Sequence, residues 1–270
     1  MSNILDKIVE TKRKEVERLE QESITPDSMA SLSASLPPRR DFVGALKNPT
    51  IGDIGIISEI KKASPSKGVI QPQFDHKKIA SLYAKGGAGC LSVLTDEPWF
   101  QGHLKYLNEI RVTVKQPLLR KDFMIDPRQF PEALRAGADA ILLIAAILSD
   151  QQLKDFRILA EASGMAALVE VHDQIELDRA LRSGATFLGV NNRNLKTFEV
   201  DLQTTSSLAQ TILPQLKSGE VFLVAESGIN SRRDVETLKS AGAGALLVGE
   251  SLMRAENPAD KIKELVLPDC

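Results

Sequence analysis

The chain has 270 residues, 43 % of them hydrophobic, with 34 Lys and Arg against 36 Asp and Glu. This composition excludes a disordered chain, and the length allows one large core. The near balance of charge leaves no electrostatic footprint for nucleic acid. Cys90 and Cys270, the two cysteines, lie far apart, which points to reduced thiols in a cytoplasmic protein rather than a disulfide scaffold. Residues 1–7 carry no apolar signal core, and the longest apolar run, 140–148, is far short of the about 20 residues that span a membrane. His76, His103 and His172 have no partners at metal-ligand spacing, so no metal is expected.

In chain order, the first segment is helical. Leu5, Ile8, Val9, Val16 and Leu19 form one stripe of a charged amphipathic helix. After Pro37-Pro38, Asp41 can cap a second helix carrying Phe42, Val43 and Leu46. Residues 1–50 therefore read as a helical extension laid against the rest, with a loosely attached arm as the alternative. From residue 51 to 270 the pattern repeats. Apolar runs at 55–60, 90–94, 117–119, 140–146, 166–171, 187–190, 221–225 and 244–248 each precede a polar stretch of helical period. Runs without alternation suit strands buried on both faces, and eight strand–helix units predict a parallel (β/α)8 barrel. An open doubly wound sheet is the alternative.

A finer repeat lies within this one. Gly87-Ala88, Gly137-Ala138, Gly184-Ala185 and Gly242-Ala243 precede every second run, where a helix ends and glycine is favoured. Asp126 with Pro127, Ser149, Asp173 and Ser231 read as helix N-caps.

Active sites of such barrels lie at the C-terminal ends of the strands. Polar residues cluster there, with Asn191 and Arg193 after run six joining five charged ones: Glu59 and Lys61 on run one, Lys121 after run three, Glu170 within run five and Glu226 after run seven. Charges inside apolar strands are costly unless paired. One alone suits a structural ion pair; five converging on one mouth suit acid–base chemistry. Ser227-Gly228 and Gly249-Glu250-Ser251, after runs seven and eight, let backbone N–H groups approach an anion, and a phosphate is expected there. No Walker A and no Gly-x-Gly-x-x-Gly follows a strand, so no nucleotide cofactor is expected. The loop 62–68 reads as a basic lid or as an ordinary surface loop.

At these residues the sequence resembles the indole-3-glycerol phosphate synthases of tryptophan biosynthesis. The resemblance is carried by Ser58-Glu59-Ile60-Lys61 with Ser64-Pro65-Ser66, Leu91-Ser92-Val93-Leu94-Thr95, Arg120-Lys121-Asp122-Phe123 and Leu168-Val169-Glu170-Val171-His172. It continues through Gly189-Val190-Asn191-Asn192-Arg193, Ala225-Glu226-Ser227-Gly228-Ile229 and Leu247-Val248-Gly249-Glu250-Ser251. It implies a lyase that closes, decarboxylates and dehydrates 1-(2-carboxyphenylamino)-1-deoxyribulose 5-phosphate, without cofactor. By resemblance Lys121 is the acid of ring closure, and Glu170 with Lys121, or Glu59 with Lys61, serves dehydration. Asn191 would orient hydroxyls or Glu170, and Glu226 would hold Lys121 or a sugar hydroxyl. Arg193 would pair with the anthranilate carboxylate or a catalytic one. Lys61, Ser227, Gly228, Gly249 and Glu250 would surround the phosphate, with Ser64 nearby, and Phe100 and Phe123 would flank the aromatic ring. Glu250 departs from relatives with serine there, and its carboxylate is expected to face solvent or a cation while its N–H serves the phosphate. Phosphoribosylanthranilate isomerase, a Schiff-base aldolase and a non-catalytic scaffold barrel remain rival readings. A monomer acting on a small phosphorylated molecule is expected, with neither nucleic acid nor membrane as partner.

Overall fold

The computed structural model describes residues 4–268; Cys270 and the start of the 1–7 segment lie outside them. Eight parallel strands close into a barrel: β1 (Gly55–Ile60), β2 (Cys90–Leu94), β3 (Leu118–Lys121), β4 (Ala140–Ile144), β5 (Ala166–Val171), β6 (Phe187–Asn191), β7 (Phe222–Glu226) and β8 (Ala245–Val248). Neighbours in the chain are neighbours in the barrel, and β8 returns to β1 through pairs such as Ile57 with Leu247. Helices follow every strand. This is the expected (β/α)8 architecture, with helices ahead of the first strand.

The pleat decides which residues meet inside. Ile57, Leu119, Leu168, Val224 and Leu247 pack together in the barrel interior, while their chain neighbours pack under the surrounding helices. Two residues further along four strands, the same inward face carries Glu59, Lys121, Glu170 and Glu226. The apolar layer thus floors the charged one.

Five strands differ from the apolar runs, three by no more than a single residue at an end and two, β3 and β4, by more. β3 begins at Leu118 and continues through Arg120 and Lys121, so these charges belong to the strand. β4 stops at Ile144, and Ala145–Ile147 turn as a 3-10 helix. That turn begins on buried Ala145, which prolongs the apolar run past the strand. Gly87, Gly137, Gly184 and Gly242 take φ of +93°, +87°, +85° and +112°, so glycine is favoured there for its left-handed backbone.

Asp41, Ser149, Asp173 and Ser231 cap their helices through side-chain oxygens. Asp126 does not. The helix begins at Gln129, whose side-chain oxygen accepts from the N–H groups of Ile125 and Asp126, while Asp126 binds Arg128. Pro127 has no N–H to offer, and Asp126 Oδ1 accepts from the Arg128 backbone N–H in the turn ahead of the helix.

The leading segment forms α1 (Ile4–Val16), α2 (Pro26–Ala34) and α3 (Phe42–Lys47). α1 ends before Leu19, which lies outside the helical stripe. α3 packs against β1 and β2, and Phe42 meets Phe187, at the start of β6, with ring centroids 6.1 Å apart. α2 lies on the helix Asp150–Ala162. α1 crosses the opposite end, where Lys12 is buried. Its ammonium lies 2.8 Å from Asp122, 3.1 Å from Asp96 and 2.6 Å from Glu15. Asp122 also binds Arg120 at 3.0 Å and accepts from Thr95. Burial opposes these charges, yet the two aspartates hold Lys12 above its ordinary pKa, and Arg120 with Lys12 holds Asp122 well below its own.

Lys12→Met removes the cation and leaves the carboxylates buried. Breaking one side of a buried pair costs about 3–5 kcal/mol. A fall of that order in urea-unfolding free energy is the expected outcome, and a variant as stable as the parent would show that α1 is not held by this pair.

Candidate active site

At the C-terminal ends of the strands lies a cavity of about 550 Å³. All fourteen candidate residues from the sequence line it: Glu59, Lys61, Ser64, Phe100, Lys121, Phe123, Glu170, Asn191, Arg193, Glu226, Ser227, Gly228, Gly249 and Glu250. It has a charged floor, an apolar side and a glycine-lined end.

Lys121 is the centre of the floor. Its Nζ is 2.8 Å from Glu170 Oε2 and 3.0 Å from Glu226 Oε2. Glu170 and Glu226 are almost fully buried. Desolvation pulls the Lys121 pKa down, but Glu170, Glu226 and Glu59 overcome it and hold the ammonium charged. The same cation, aided by His172, outweighs the burial of Glu170 and holds that carboxyl well below its ordinary range. Glu226 goes the other way: burial, with the nearby Glu170 charge, raises it despite Lys121. A shared cation and two close carboxylates drive the pair apart.

Two glycines make the room. A Cβ on Gly189 would stand 2.1 Å from Glu226 Oε1, and one on Gly249 would stand 2.4 Å from Glu59 Oε1. Gly249 therefore has a reason beyond backbone approach to an anion: it clears the Glu59 carboxylate. Asn191 Nδ2 donates to Glu170 Oε1 at 3.3 Å. Glu226 Oε1 is buried with no hydrogen-bond partner and faces Gly189.

Glu59 and Lys61, two residues apart on one face of β1, form the second ion pair. Glu59 has this one cationic partner, whereas Glu170 is flanked by Lys121 and His172.

The glycine-lined end joins β7 to β8. Ser227 and Gly228 take φ of +67° and +80°, and a left-handed serine is a strained conformation that recurs at functional sites. Ser251 Oγ donates to Ile229 O and ties the two strand ends together. Glu250 opens the helix Glu250–Arg254, and its carboxylate lies 3.6 Å from Arg193, 3.8 Å from Lys67 and 3.2 Å from Arg254. Arg193 also donates to the Phe198 carbonyl. The structure thus pairs Arg193 with Glu250 rather than with a catalytic carboxylate.

Loop 62–68 is built as a small hairpin in which Ala63–Ser64 pairs antiparallel with Gly68–Val69. Its tip reaches Glu250 through Lys67.

Phe100 and Phe123 stand 6.0 Å apart on the apolar side. Ile4, Leu5 and Ile8 of α1 complete that wall. The sequence shows Leu5 and Ile8 as a stripe, but nothing in it says that the stripe faces the mouth. His172 was also missed: it stands between its chain neighbours Glu170 and Glu176, a pairing that the sequence spacing of i−2 and i+4 could have suggested. Among the described residues no three His, Cys, Asp or Glu side chains converge as a metal site, and no helix is long and apolar enough to cross a membrane.

Comparison with known proteins follows the same lines. The family described as indole-3-glycerol phosphate synthase matches residues 5–265. The chain is 47 % identical over 266 residues to the indole-3-glycerol phosphate synthase of Burkholderia ambifaria (strain MC40-6), covering 98 % of this chain and 99 % of that one. It is 49 % identical over 270 residues to that of Paracidovorax citrulli (strain AAC00-1), with the same coverage. Among solved structures, N-acetylmannosamine-6-phosphate 2-epimerase from Clostridium perfringens is similar with a TM-score of 0.59 and 16 % identity, covering 84 % of this chain and 96 % of that one. At that identity the likeness is one of fold.

Gly189→Ala tests the arrangement of the floor. The added methyl displaces Glu226 from Lys121, and misplacing a catalytic group by about 1 Å costs on the order of 10²-fold in turnover. Such a fall in kcat, with unchanged circular dichroism, is the expected result; an unchanged kcat would mean that the Glu226–Lys121 contact is dispensable.

Proposed function

The chain belongs to the indole-3-glycerol phosphate synthase family, and from that premise we propose how its mouth divides the chemistry. The enzyme converts 1-(2-carboxyphenylamino)-1-deoxyribulose 5-phosphate into indole-3-glycerol phosphate, carbon dioxide and water. The observation that carries the assignment of roles is the Lys121 ammonium, held between two buried carboxylates at the centre of the cavity.

Ring closure joins the aromatic carbon that bears the carboxylate to the ketone carbon. Negative charge develops on the ketone oxygen, and Lys121 supplies the proton. A positioned cation in a dry site acts most strongly where charge develops. Carbon dioxide then leaves from the same aromatic carbon. The hydroxyl that was the ketone oxygen must next leave as water, which takes a second proton, while the adjacent methylene carbon gives one up. Lys61 and Glu59 form the second acid–base set. Glu59 is the better base of the two candidates because Glu170 has cations beside both its oxygens. Glu170, with Asn191, holds Lys121 charged and oriented. Glu226, which lines the cavity beside Lys121, would hold a sugar hydroxyl.

Substrate orientation follows from the walls. The anthranilate ring lies along Phe100, Phe123 and α1, and the phosphate lies at Ser227, Gly228 and Gly249, near Ser64, Lys61 and Arg193. Glu250 serves this end through its backbone N–H, its side chain being occupied by cations. A Schiff base on Lys121 would need a neutral amine, which the surrounding carboxylates oppose, and the family match does not favour an isomerase. The active unit is proposed to be a cytoplasmic monomer.

Lys121→Met should lower kcat by about 10²–10⁴-fold, with KM less affected because the interaction grows in the transition state; a kcat near that of the parent would remove Lys121 from the role of acid. Quenched single-turnover reactions separate the two sets. Lys61→Met should accumulate the decarboxylated, still hydrated intermediate, detectable by mass, whereas Lys121→Met should leave substrate unconsumed. Accumulation of the hydrated species in the Lys121 variant instead would reverse the assignment.

Glu250→Ser should change KM by no more than about the few-fold that exposed charges contribute, whereas Gly249→Val should weaken binding much more. A change in KM of about tenfold or more in Glu250→Ser, equivalent to about 1.4 kcal/mol, would place the carboxylate itself in the phosphate site.

A further inference from the structure

His172 has no part in the division of labour above, yet it stands against the charged floor. It follows β5 directly, two residues beyond Glu170 and on the same face. Its Nε2 lies 3.3 Å from Glu170 Oε1, close but not aligned as a hydrogen bond. Its Nδ1 lies 2.9 Å from Glu176 Oε2, and the same oxygen accepts from the backbone N–H of His172 at 2.9 Å. Glu176 sits in the first turn of the helix Gln174–Arg182, its own N–H bound to the N-cap Asp173.

Carboxylates are acceptors. Glu176 accepts from Nδ1–H, and the negative charge of Glu170 beside Nε2 favours a proton there as well. Both carboxylates thus favour the imidazolium form. Burial works against that charge, but Glu170 and Glu176 outweigh it and push the pKa up to about 10.

The ionisable groups around Glu170 are Lys121 from β3, Glu226 from β7 and His172; Asn191 from β6 is neutral, and Glu59 of β1 acts on the far side of Lys121. The turn Ala145–Ile147, packed against the helix Gln174–Arg182, brings no ionisable side chain. When Lys121 gives its proton to the substrate oxygen, Glu170 loses one of its two cations. The other one remains.

We propose that His172 is a positioning residue: a buried imidazolium, clamped by Glu176, that keeps Glu170 anionic through the cycle, so that the proton of Lys121 passes to substrate and not to Glu170. This rests on the reading of Lys121 as the acid of ring closure.

The experiment is the pH dependence of kcat in His172→Gln. Removing a cation beside Glu170 raises the proton affinity of that carboxylate, so the acid limb should move to higher pH by about one to three units. KM should change little, because His172 touches Glu170 and Glu176 rather than substrate. His172→Lys, which returns a cation, should move the limb back toward that of the parent; a merely structural role would predict no such rescue. Nitrogen-15 NMR of the imidazole in the unmodified enzyme gives a readout that needs no variant to fold. Both ring nitrogens should be protonated at pH 8, and Glu176→Gln should bring their titration to lower pH. A neutral ring at pH 7, or superimposable kcat profiles for the parent and His172→Gln, would overturn the proposal. If Lys121→Met retains full kcat, the assignment of the acid fails, while the NMR result still reports the charge of His172 on its own.

Discussion

Everything at the mouth of this barrel follows from the difficulty of burying charge. An isolated carboxylate taken out of water is strongly disfavoured, yet Glu170 and Glu226 lie almost wholly out of solvent. They persist there because Lys121 reaches both, and Lys121 stays charged because they surround it. No member can be removed without stranding the others. The same mutual dependence makes the group rigid and pre-oriented, the condition under which a cation best stabilises developing negative charge. Glu226 occupies the space that a side chain on Gly189 would fill, and Glu59 does the same at Gly249. Asn191 and His172 stand beside Glu170 Oε1, the oxygen of that carboxylate that Lys121 does not take.

The constraint extends to the leading segment. Asp122 follows Lys121 on the chain but points to the other side of the strand, where Arg120, Thr95 and Lys12 meet it. Lys12 comes from α1, so the helix that completes the apolar wall is held by a residue adjacent to the catalytic lysine. α3 packs at the far end through Phe42 and Phe187. The segment thus runs from the mouth, past the helix Asp150–Ala162, to the floor of the barrel. Strap and site are joined by buried charge, where pairing matters more than at the surface.

At the anion end the balance is different. Glu250 is partly exposed, and its contacts with Lys67, Arg193 and Arg254 are loose. Pairs of this kind are worth about 0–1 kcal/mol each and rearrange readily. They place two cations near the strand ends of β7 and β8 without locking them. The floor is fixed by burial and the rim is adjustable by solvation.

Much of this was legible in the residues themselves. Apolar runs broken by polar helical stretches set the eight strand–helix units, because strands buried on both faces admit few polar residues. Glycine before every second strand marked the left-handed helix ends, and charges at strand ends marked the mouth. The strand period of two even carries Ile57, Glu59 and Lys61 to one face without any structure. What sequence could not decide is which charge meets which. Glu170 and Glu226 share Lys121 only because closing the barrel brings β3, β5 and β7 around one axis, and that distance has no counterpart along the chain. Lys12 meets Asp96 and Asp122 only because the fold sets them against it, whereas the carboxylates beside His172 are its chain neighbours. Asp126 looked like a helix cap, but the helix starts three residues later, at Gln129. Local pattern encodes which face of an element is buried, since that depends on backbone period alone. The partners of a buried charge are set by long-range closure, and only the tertiary structure supplies them.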